Sequence, residues 1–133
     1  MTSTRPIAVA GFLCLALALA PAKQGLAQTG PTSPIGHSYE LKFSDARWWT
    51  MDVRPTELLF TAMSGEKKGQ VVLTVDNPTL KEIGNGVYLV FWQERDKSTA
   101  VHVYDFARGH AYFNATKPDG TFLNLEGPVT LVK

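Results

Sequence analysis

The chain has 133 residues and a formal net charge of +1, so it is long enough for one domain and too short for two of ordinary size. Its 13 basic residues are nearly balanced by 12 acidic ones, and they form no basic run of the kind that nucleic acid requires. No polybasic segment suits anionic lipid headgroups either. The composition therefore argues against a nucleic-acid partner and indicates a small globular domain.

The first 27 residues have the pattern of a secretory signal peptide. Arg5 precedes an uncharged apolar run, Ile7–Ala20, of about 14 residues, which is shorter than the ~20 that a membrane-spanning helix needs. Gly25 and Ala27 then supply the small residues that precede a cleavage site before Gln28. We therefore expect a periplasmic or secreted chain that begins near Gln28 and keeps no stable membrane anchor. The alternative is an uncleaved anchor.

The remaining chain divides into a short leader and one domain. Residues 28–36 are rich in Pro, Gly and Thr and predict a flexible leader, so the domain is expected to cover residues 37–133. Cys14 is the only cysteine and lies within the signal peptide, so no disulfide can form in the mature chain. The domain must therefore be held together by its apolar core.

Short apolar segments separated by turn residues follow from residue 37 onward, a pattern that is typical of β-structure. Ser38–Phe43 is the clearest early case, because every second residue is apolar. Val87–Glu94 is apolar on both faces, so we expect it to be covered on both sides. Leu80–Ile83 is ambiguous. In chain order the predicted strands are Ser38–Phe43, Arg47–Met51, Glu57–Thr61, Gln70–Val75, Val87–Glu94, Ala100–Phe106, His110–Thr116, Thr121–Leu125 and Val129–Val132.

These seven to nine strands predict an all-β fold. Sequential hairpins form a meander, which closes most simply as a small up-and-down barrel of about eight strands. A β-sandwich is the alternative. Gly127-Pro128 is expected to divide the end of the chain into two strands. A barrel of this size has an interior that is either filled by side chains or holds one small ligand.

Several stretches of the predicted strands and turns carry a family resemblance. They are Val87-Tyr-Leu-Val-Phe-Trp-Gln-Glu94, Val101-His-Val-Tyr-Asp-Phe106, Pro118-Asp-Gly-Thr-Phe122 and Leu125-Glu-Gly127. On these residues the chain resembles the MoaF-like proteins, small calycin-type (lipocalin-like) β-barrels, over about Gly36–Lys133. The resemblance implies such a barrel here. The family name points to molybdenum cofactor biosynthesis, a cytoplasmic pathway that does not suit an exported chain, so no cofactor is expected.

A wider resemblance links the chain to phenolic acid decarboxylases, which share the barrel and carry a Trp-x-Glu motif on a central strand. Trp92 and Glu94 match that motif, in which the glutamate belongs to the catalytic set. The tyrosine pair of those enzymes falls near Leu41 and Phe43, which have no hydroxyl, and no arginine matches. Decarboxylation is therefore not expected from this chain.

Glu94 is the first candidate for a functional residue. It shares a strand face with Tyr88 and Trp92, so its carboxylate is expected to project into an apolar cavity as an acid, a base or a ligand anchor. The alternative is a solvated glutamate at the strand end, paired with Arg95 or Lys97. Trp92 and Tyr88 are expected either to line that pocket or to pack in a filled core.

Further candidates lie on Ala100–Phe106. His102 and Tyr104 share one face, and His102 is a candidate ligand contact or general base, although a hydrogen-bonded surface histidine is the commoner case. Asp105 faces the other way and is expected to cap the turn at Arg108. The candidate partners for the Glu94 carboxylate are Arg47, Arg54, His102 and Tyr104.

A metal site is not expected, because the predicted mature chain has no cysteine and its histidines, His37, His102 and His110, are scattered. Three functions remain open. The first is an exported binding protein that holds a small, partly apolar molecule without turnover. Its expected ligand-binding residues are Glu94, Trp92, Tyr88, His102 and Tyr104. The alternatives are a lyase- or isomerase-type enzyme that uses Glu94 as acid or base, and a filled barrel that serves as a structural or interaction domain.

Overall fold

The computed structural model describes residues 33–133, and the predicted signal peptide lies outside this range. The described residues form nine strands and no helix. The strands are β1 Ser38–Lys42, β2 Trp48–Val53, β3 Glu57–Ala62, β4 Val71–Asp76, β5 Thr79–Gly84, β6 Val87–Gln93, β7 Thr99–Asp105, β8 His110–Thr116 and β9 Phe122–Leu131. Within residues 33–133, no helix is long and apolar enough to cross a membrane.

All nine strands belong to one antiparallel sheet, in the order β4-β3-β2-β1-β9-β8-β7-β6-β5. The pairing of β1 with β9, in which Leu41 lies opposite Val129, joins the two halves of the chain and lets the sheet curl around its core. β4 and β5 are the two edges, and no ladder joins them in the described part of the chain. The result is a curled half-barrel of calycin type, which confirms the predicted all-β barrel class over the sandwich.

Two elements differ from the predicted ones. The ambiguous segment is strand β5, which pairs with β6. The end of the chain is the single strand β9, whereas two strands were expected on either side of Gly127-Pro128. The reason is tertiary, because β9 pairs with β8 from Phe122 to Pro128 and with β1 from Val129 to Leu131. Pro128 therefore stands where the ladder passes from one neighbour to the other.

Gly127 makes the crossing of β9 over β1 sterically possible. A Cβ atom at this position would lie 1.8 Å from the carbonyl oxygen of Lys42, so no larger residue fits without moving one of the strands. The same approach brings the end of β1 close to β9, where the Ser44 amide donates to the Glu126 carbonyl at 2.9 Å.

The core lies on the concave face of the sheet, where every second side chain of each strand points inward. The outer face is open to solvent, since Phe91 of β6 and Val101 of β7 are 40% and 43% exposed. The expectation that Val87–Glu94 is covered on both sides is therefore wrong. One sheet curls around one core, and nothing in residues 33–133 forms a second layer against its convex face.

The two ends of the half-barrel differ. At the closed end, the ring of Phe106 packs on Tyr39 at 4.3 Å between centroids and stacks on Tyr104 at 5.6 Å. The turn before β1 lies at this end, where Gly36 donates to the Val53 carbonyl at 2.7 Å and Pro34 is buried. At the open end, beyond the level of Trp92 and around Phe43, the interior is not filled, and the candidate site lies there.

Candidate functional site

A cavity of about 120 Å³ occupies the open end of the half-barrel. Its wall is mostly aromatic and aliphatic, and three polar side chains join it: Arg47, Glu94 and His102. The apolar lining residues are Phe43, Trp49, Leu73, Trp92, Ala100, Phe113, Ala115, Leu123 and Leu125. A mostly apolar wall with a few convergent polar groups is the usual composition of a small-molecule site.

The space arises from one cross-strand row of the sheet. Trp92 of β6 lies opposite Ala100 of β7, which lies opposite Ala115 of β8 and then Leu123 of β9. Two alanines stand side by side in this row, and their methyl groups are too short to fill the interior. The cavity is therefore a consequence of side-chain size at two positions of a regular sheet.

Glu94 stands at the rim of the cavity, one residue after β6 ends. Its backbone is fixed by the β6–β7 hairpin, in which the Glu94 amide donates to the Ser98 carbonyl at 2.8 Å and the Lys97 amide donates to the Glu94 carbonyl at 3.0 Å. Because it continues the inward face that carries Trp92, its half-buried side chain lines the cavity. This is the placement that the alternation of β6 predicts.

An open cleft of about 610 Å³ adjoins the cavity. It lies between β4, at residues 72–76, and the end of β6 at residues 92–96. The cleft exists because β5 pairs with β6 only as far as Phe91, which lies opposite Thr79. Leu73, Trp92 and Glu94 line both spaces, so the cavity meets the cleft along this seam.

His102 lies inside the half-barrel, at the wall of the cavity, and is only 6% exposed. Its ring packs against Phe113 at 4.0 Å and Trp92 at 4.5 Å between centroids, and its Nδ1 lies 3.0 Å from the Tyr104 hydroxyl. Burial lowers its pKa from 6.5 to about 3, so the ring is neutral. The surface position that was considered commoner is therefore wrong for this histidine.

The two candidate tyrosines do not line the cavity. Tyr88 lies toward the closed end, 5.8 Å from the ring of Phe106. Tyr104 is fully buried one level below the cavity and reaches it only through its hydrogen bond to His102; burial raises the pKa of its hydroxyl well above 10. Burial, followed by the nearby Tyr88, raises the pKa of Tyr39 to about 12. The structure thus brings Glu94, Trp92 and His102 together at the cavity, whereas neither Tyr88 nor Tyr104 lines it.

The arginines considered as partners of Glu94 have other partners. Arg47 lines the cavity, but its guanidinium pairs with Asp45 at 2.6 Å and lies over the Trp49 ring at 5.6 Å. Arg54 pairs with Glu57 at 2.5 Å. Among residues 33–133, no ion pair or side-chain hydrogen bond reaches the Glu94 carboxylate. Its carboxylate is therefore available to a ligand.

Asp105 has the structural role that its position predicts. Its carboxylate accepts from the Arg108 amide and pairs with the Arg108 guanidinium, both at 2.8 Å. Burial alone would raise the pKa of this carboxyl, but the hydrogen bonds from Arg108 outweigh it and hold the pKa below its usual value. Asp105 therefore fixes the β7–β8 turn and takes no part in the cavity.

The walls from the first half of the chain were not among the sequence candidates. Phe43 lines the cavity from the residue after β1, Trp49 from β2 and Leu73 from β4. Period-two alternation predicts which face of its strand each residue shares, but the contact of these residues with β6 depends on the curl of the sheet. No group of three or more His, Asp or Glu side chains within the described residues is arranged to hold a metal ion.

The fold and the site define a calycin-like half-barrel with an apolar cavity at its open end and a carboxylate at the rim. The chain belongs to the MoaF-like family, whose match covers residues 35–130. A crystal structure from Burkholderia vietnamiensis, of a protein described provisionally as a β-lactamase, is similar with a TM-score of 0.62 at 24% identity, over 74% of this chain and 94% of that one. That likeness shows the shared fold alone. No curated protein matches the sequence.

Proposed function

We propose that this protein binds one small, partly apolar molecule at the open end of the half-barrel, without turnover. The observation that carries the proposal is the shared lining of the cavity and the cleft by Leu73, Trp92 and Glu94. An apolar cavity of roughly 150 Å³ is known to hold benzene, so a cavity of about 120 Å³ suits a single small ring. The cleft, at about 610 Å³, has room for the rest of the molecule.

Each part of the site has a distinct role in this proposal. Trp92 and Phe113 supply aromatic walls for the ring, and Glu94 receives the polar end of the ligand at the rim. A carboxylate without a protein partner is best matched by a cationic or hydrogen-bond-donating group. The ligand therefore places an apolar ring in the cavity and a donor group at the rim.

Binding is favoured over the lyase or isomerase alternative by the state of His102. An acid–base reaction at Glu94 would be helped by a second group that exchanges protons near neutral pH. His102 lines the same cavity, but its pKa of about 3 keeps it neutral and makes it a weak base. Arg47, the other polar lining residue, stays charged and is paired with Asp45.

A cavity-filling variant tests the proposal. Ala115→Leu puts three more carbon atoms into the cavity, and Thr116→Leu puts the same side chain on the opposite face of β8 as a matched control. NMR titration with toluene and benzylamine should show binding to the wild type and to Thr116→Leu, and at least tenfold weaker binding to Ala115→Leu. Equal binding by all three proteins would contradict the proposal and favour a filled structural or interaction domain.

The role of Glu94 is tested with the same probes. Glu94→Gln keeps the shape and hydrogen bonding of the side chain but removes its charge. We expect benzylamine to bind about tenfold more weakly to this variant, since a hydrogen bond to a charged group contributes on the order of 1.5 kcal/mol. Toluene should change less than twofold. An equal change in affinity for both probes would show that the Glu94 carboxylate does not bind the amine.

The proposal also places the protein outside the cytoplasm, on the signal-peptide pattern of residues 1–27. Mass spectrometry of the periplasmic and secreted fractions should find a mature N-terminus near Gln28. A cytoplasmic protein that still begins at Met1 would contradict this part and leave the cavity argument intact.

A further inference from the structure

We propose that the cavity selects a ligand with a hydrogen-bond acceptor oxygen at its inner end, as in a ketone or an aldehyde. The Nε2–H of His102 donates to that oxygen. This inference rests on the proposed binding function. The inference starts from two buried side chains that are neighbours on one face of β7, His102 and Tyr104. It concerns the polarity of the inner wall, which the apolar lining does not reveal.

The hydroxyl of Tyr104 fixes the direction of the hydrogen bond. Tyr104 is fully buried, and within residues 33–133 its hydroxyl has one hydrogen-bond partner, the His102 Nδ1 at 3.0 Å. A hydroxyl hydrogen that is buried without an acceptor is costly, so the hydroxyl donates and Nδ1 accepts. The reverse direction would leave that hydrogen unpaired in an apolar interior.

This direction determines the tautomer of His102. A neutral imidazole carries one proton, and a ring whose Nδ1 accepts must carry that proton on Nε2. The ring is neutral because it is buried among Trp92, Phe113 and Tyr104. In the described residues Nε2 has no hydrogen-bond partner of its own, while the side chain lines the cavity. The polar position that His102 offers to a ligand is therefore a donor.

A second unpaired donor lies in the same wall. The indole N–H of Trp92 is buried and has no hydrogen-bond partner in residues 33–133, and its ring meets His102 edge-on at 4.5 Å. The carboxylate of Glu94, the acceptor among the polar lining side chains, stands at the rim. The Nε2–H of His102 inside and the carboxylate of Glu94 at the rim give the site a direction. An acceptor oxygen satisfies His102, whereas an amine at the inner end would face a donor.

The tautomer is measured directly in the wild-type protein. Long-range ¹H–¹⁵N NMR of the His102 ring at neutral pH distinguishes a protonated Nε2 from a protonated Nδ1. We expect Nε2 to carry the proton. A ring protonated on Nδ1 would overturn the inference whatever the behaviour of any variant, and this measurement stands even if a substitution at Tyr104 prevents folding.

Ligand preference is measured with a matched pair, acetophenone and ethylbenzene, which share a ring and a two-carbon substituent and differ in the carbonyl oxygen. We expect the wild type to bind acetophenone about tenfold more tightly, and acetophenone alone to shift the ¹⁵N resonance of His102 Nε2. Tyr104→Phe frees Nδ1 and should reduce the preference to about twofold. Tyr112→Phe is the control, because that ring lies on the outer face of β8 and is 45% exposed. This variant should retain the tenfold preference for acetophenone.

The outcomes separate this inference from the binding function on which it rests. Equal binding of both probes by the wild type would overturn the acceptor preference and leave the proposed function standing. Failure of both probes to bind would contradict the proposed function itself. A tenfold preference that survives in Tyr104→Phe would remove the role assigned to the Tyr104 hydroxyl and overturn the inference as stated.

Discussion

The closed and open ends of the half-barrel are built from the same kind of cross-strand row and differ in what covers its small residues. At the closed end, Tyr88 and Tyr104 continue into Ala111 and Gly127, and the ring of Phe106 packs against both tyrosines. At the open end, Ala100 and Ala115 lie between Trp92 and Leu123, and all four residues line the cavity.

This difference teaches that the sheet itself does not decide whether the interior is filled. The strands of both ends have regular ladders from β6 to β9, and both rows contain small residues. The deciding feature is one aromatic ring, Phe106, that follows β7 and turns inward at the closed end. A binding site can therefore be made in this fold by leaving out a covering ring.

The largest expected effect tests how tightly the backbones of β1 and β9 pack where β9 crosses β1, in the row that belongs to the closed end. Gly127→Ala places a Cβ 1.8 Å from the Lys42 carbonyl oxygen, so β1 and β9 must separate. We expect the free energy of unfolding to fall by about 3 kcal/mol or more. The control is Gly84→Ala, whose Cβ would meet Val87 at an ordinary 3.7 Å. Equal denaturation midpoints for the two variants would contradict this packing argument.

A matched pair of leucines tests the comparison of the two ends directly. Leu58 is 1% exposed near the closed end, whereas Leu73 is half-buried at the wall of the cavity. Leu58→Ala should cost about 3 kcal/mol, within the range for a packed core. Leu73→Ala should cost about 1 kcal/mol, because the site is already partly open. Urea unfolding measures both losses of stability, and Leu131→Ala, at an exposed position, is the reference variant. Similar losses at Leu58 and Leu73 would break the comparison.

The smallest expected effect depends on pH and concerns the boundary between the ends. The pKa of His102 is about 3 in the folded chain and 6.5 ordinarily, so below about pH 6.5 the unfolded chain binds a proton that the folded chain does not. Its contribution to stability is complete above that pH and is lost as pH falls toward 3, by about 1.4 kcal/mol per pH unit. Glu94 and Arg47 are the charged groups that share its cavity.

The measurement compares unfolding of the wild type and His102→Gln at pH 6 and pH 5. The wild type should lose about 1 kcal/mol more than the variant over this interval. His110→Gln is the control, because that ring bonds Glu126 at the surface. If wild type and His102→Gln have parallel pH profiles, the histidine is not held neutral in the interior.

Much of the fold follows from local pattern. Strict alternation in Ser38–Phe43 predicted a strand with one inward face. On β6, the period of two correctly placed Trp92 and Glu94 on one shared face, which lines the cavity. The cap formed by Asp105 was also predicted, because turn-forming residues act on their immediate neighbours.

Other predictions were wrong because local pattern does not say which face of a strand is inside. On β7, both faces carry apolar residues, and a surface position was considered the commoner case for His102. Val101 is instead 43% exposed and His102 is buried, since β7 must match the inward face of β6, where Val90 lies opposite His102. The continuity of β9 through Pro128 likewise depends on a change of pairing partner that local sequence does not encode.

The sequence by itself determined the strand class, the MoaF-like resemblance and the set of β6 side chains that share a face with Glu94, because these depend on period-two alternation and on short motifs. Only the tertiary structure decided that one end is closed by Phe106 and the other left open, and that Tyr104 holds the ring of His102. The physical reason is that a cavity and a buried hydrogen bond are properties of side chains brought together from several strands, and their meeting depends on the curl of the sheet.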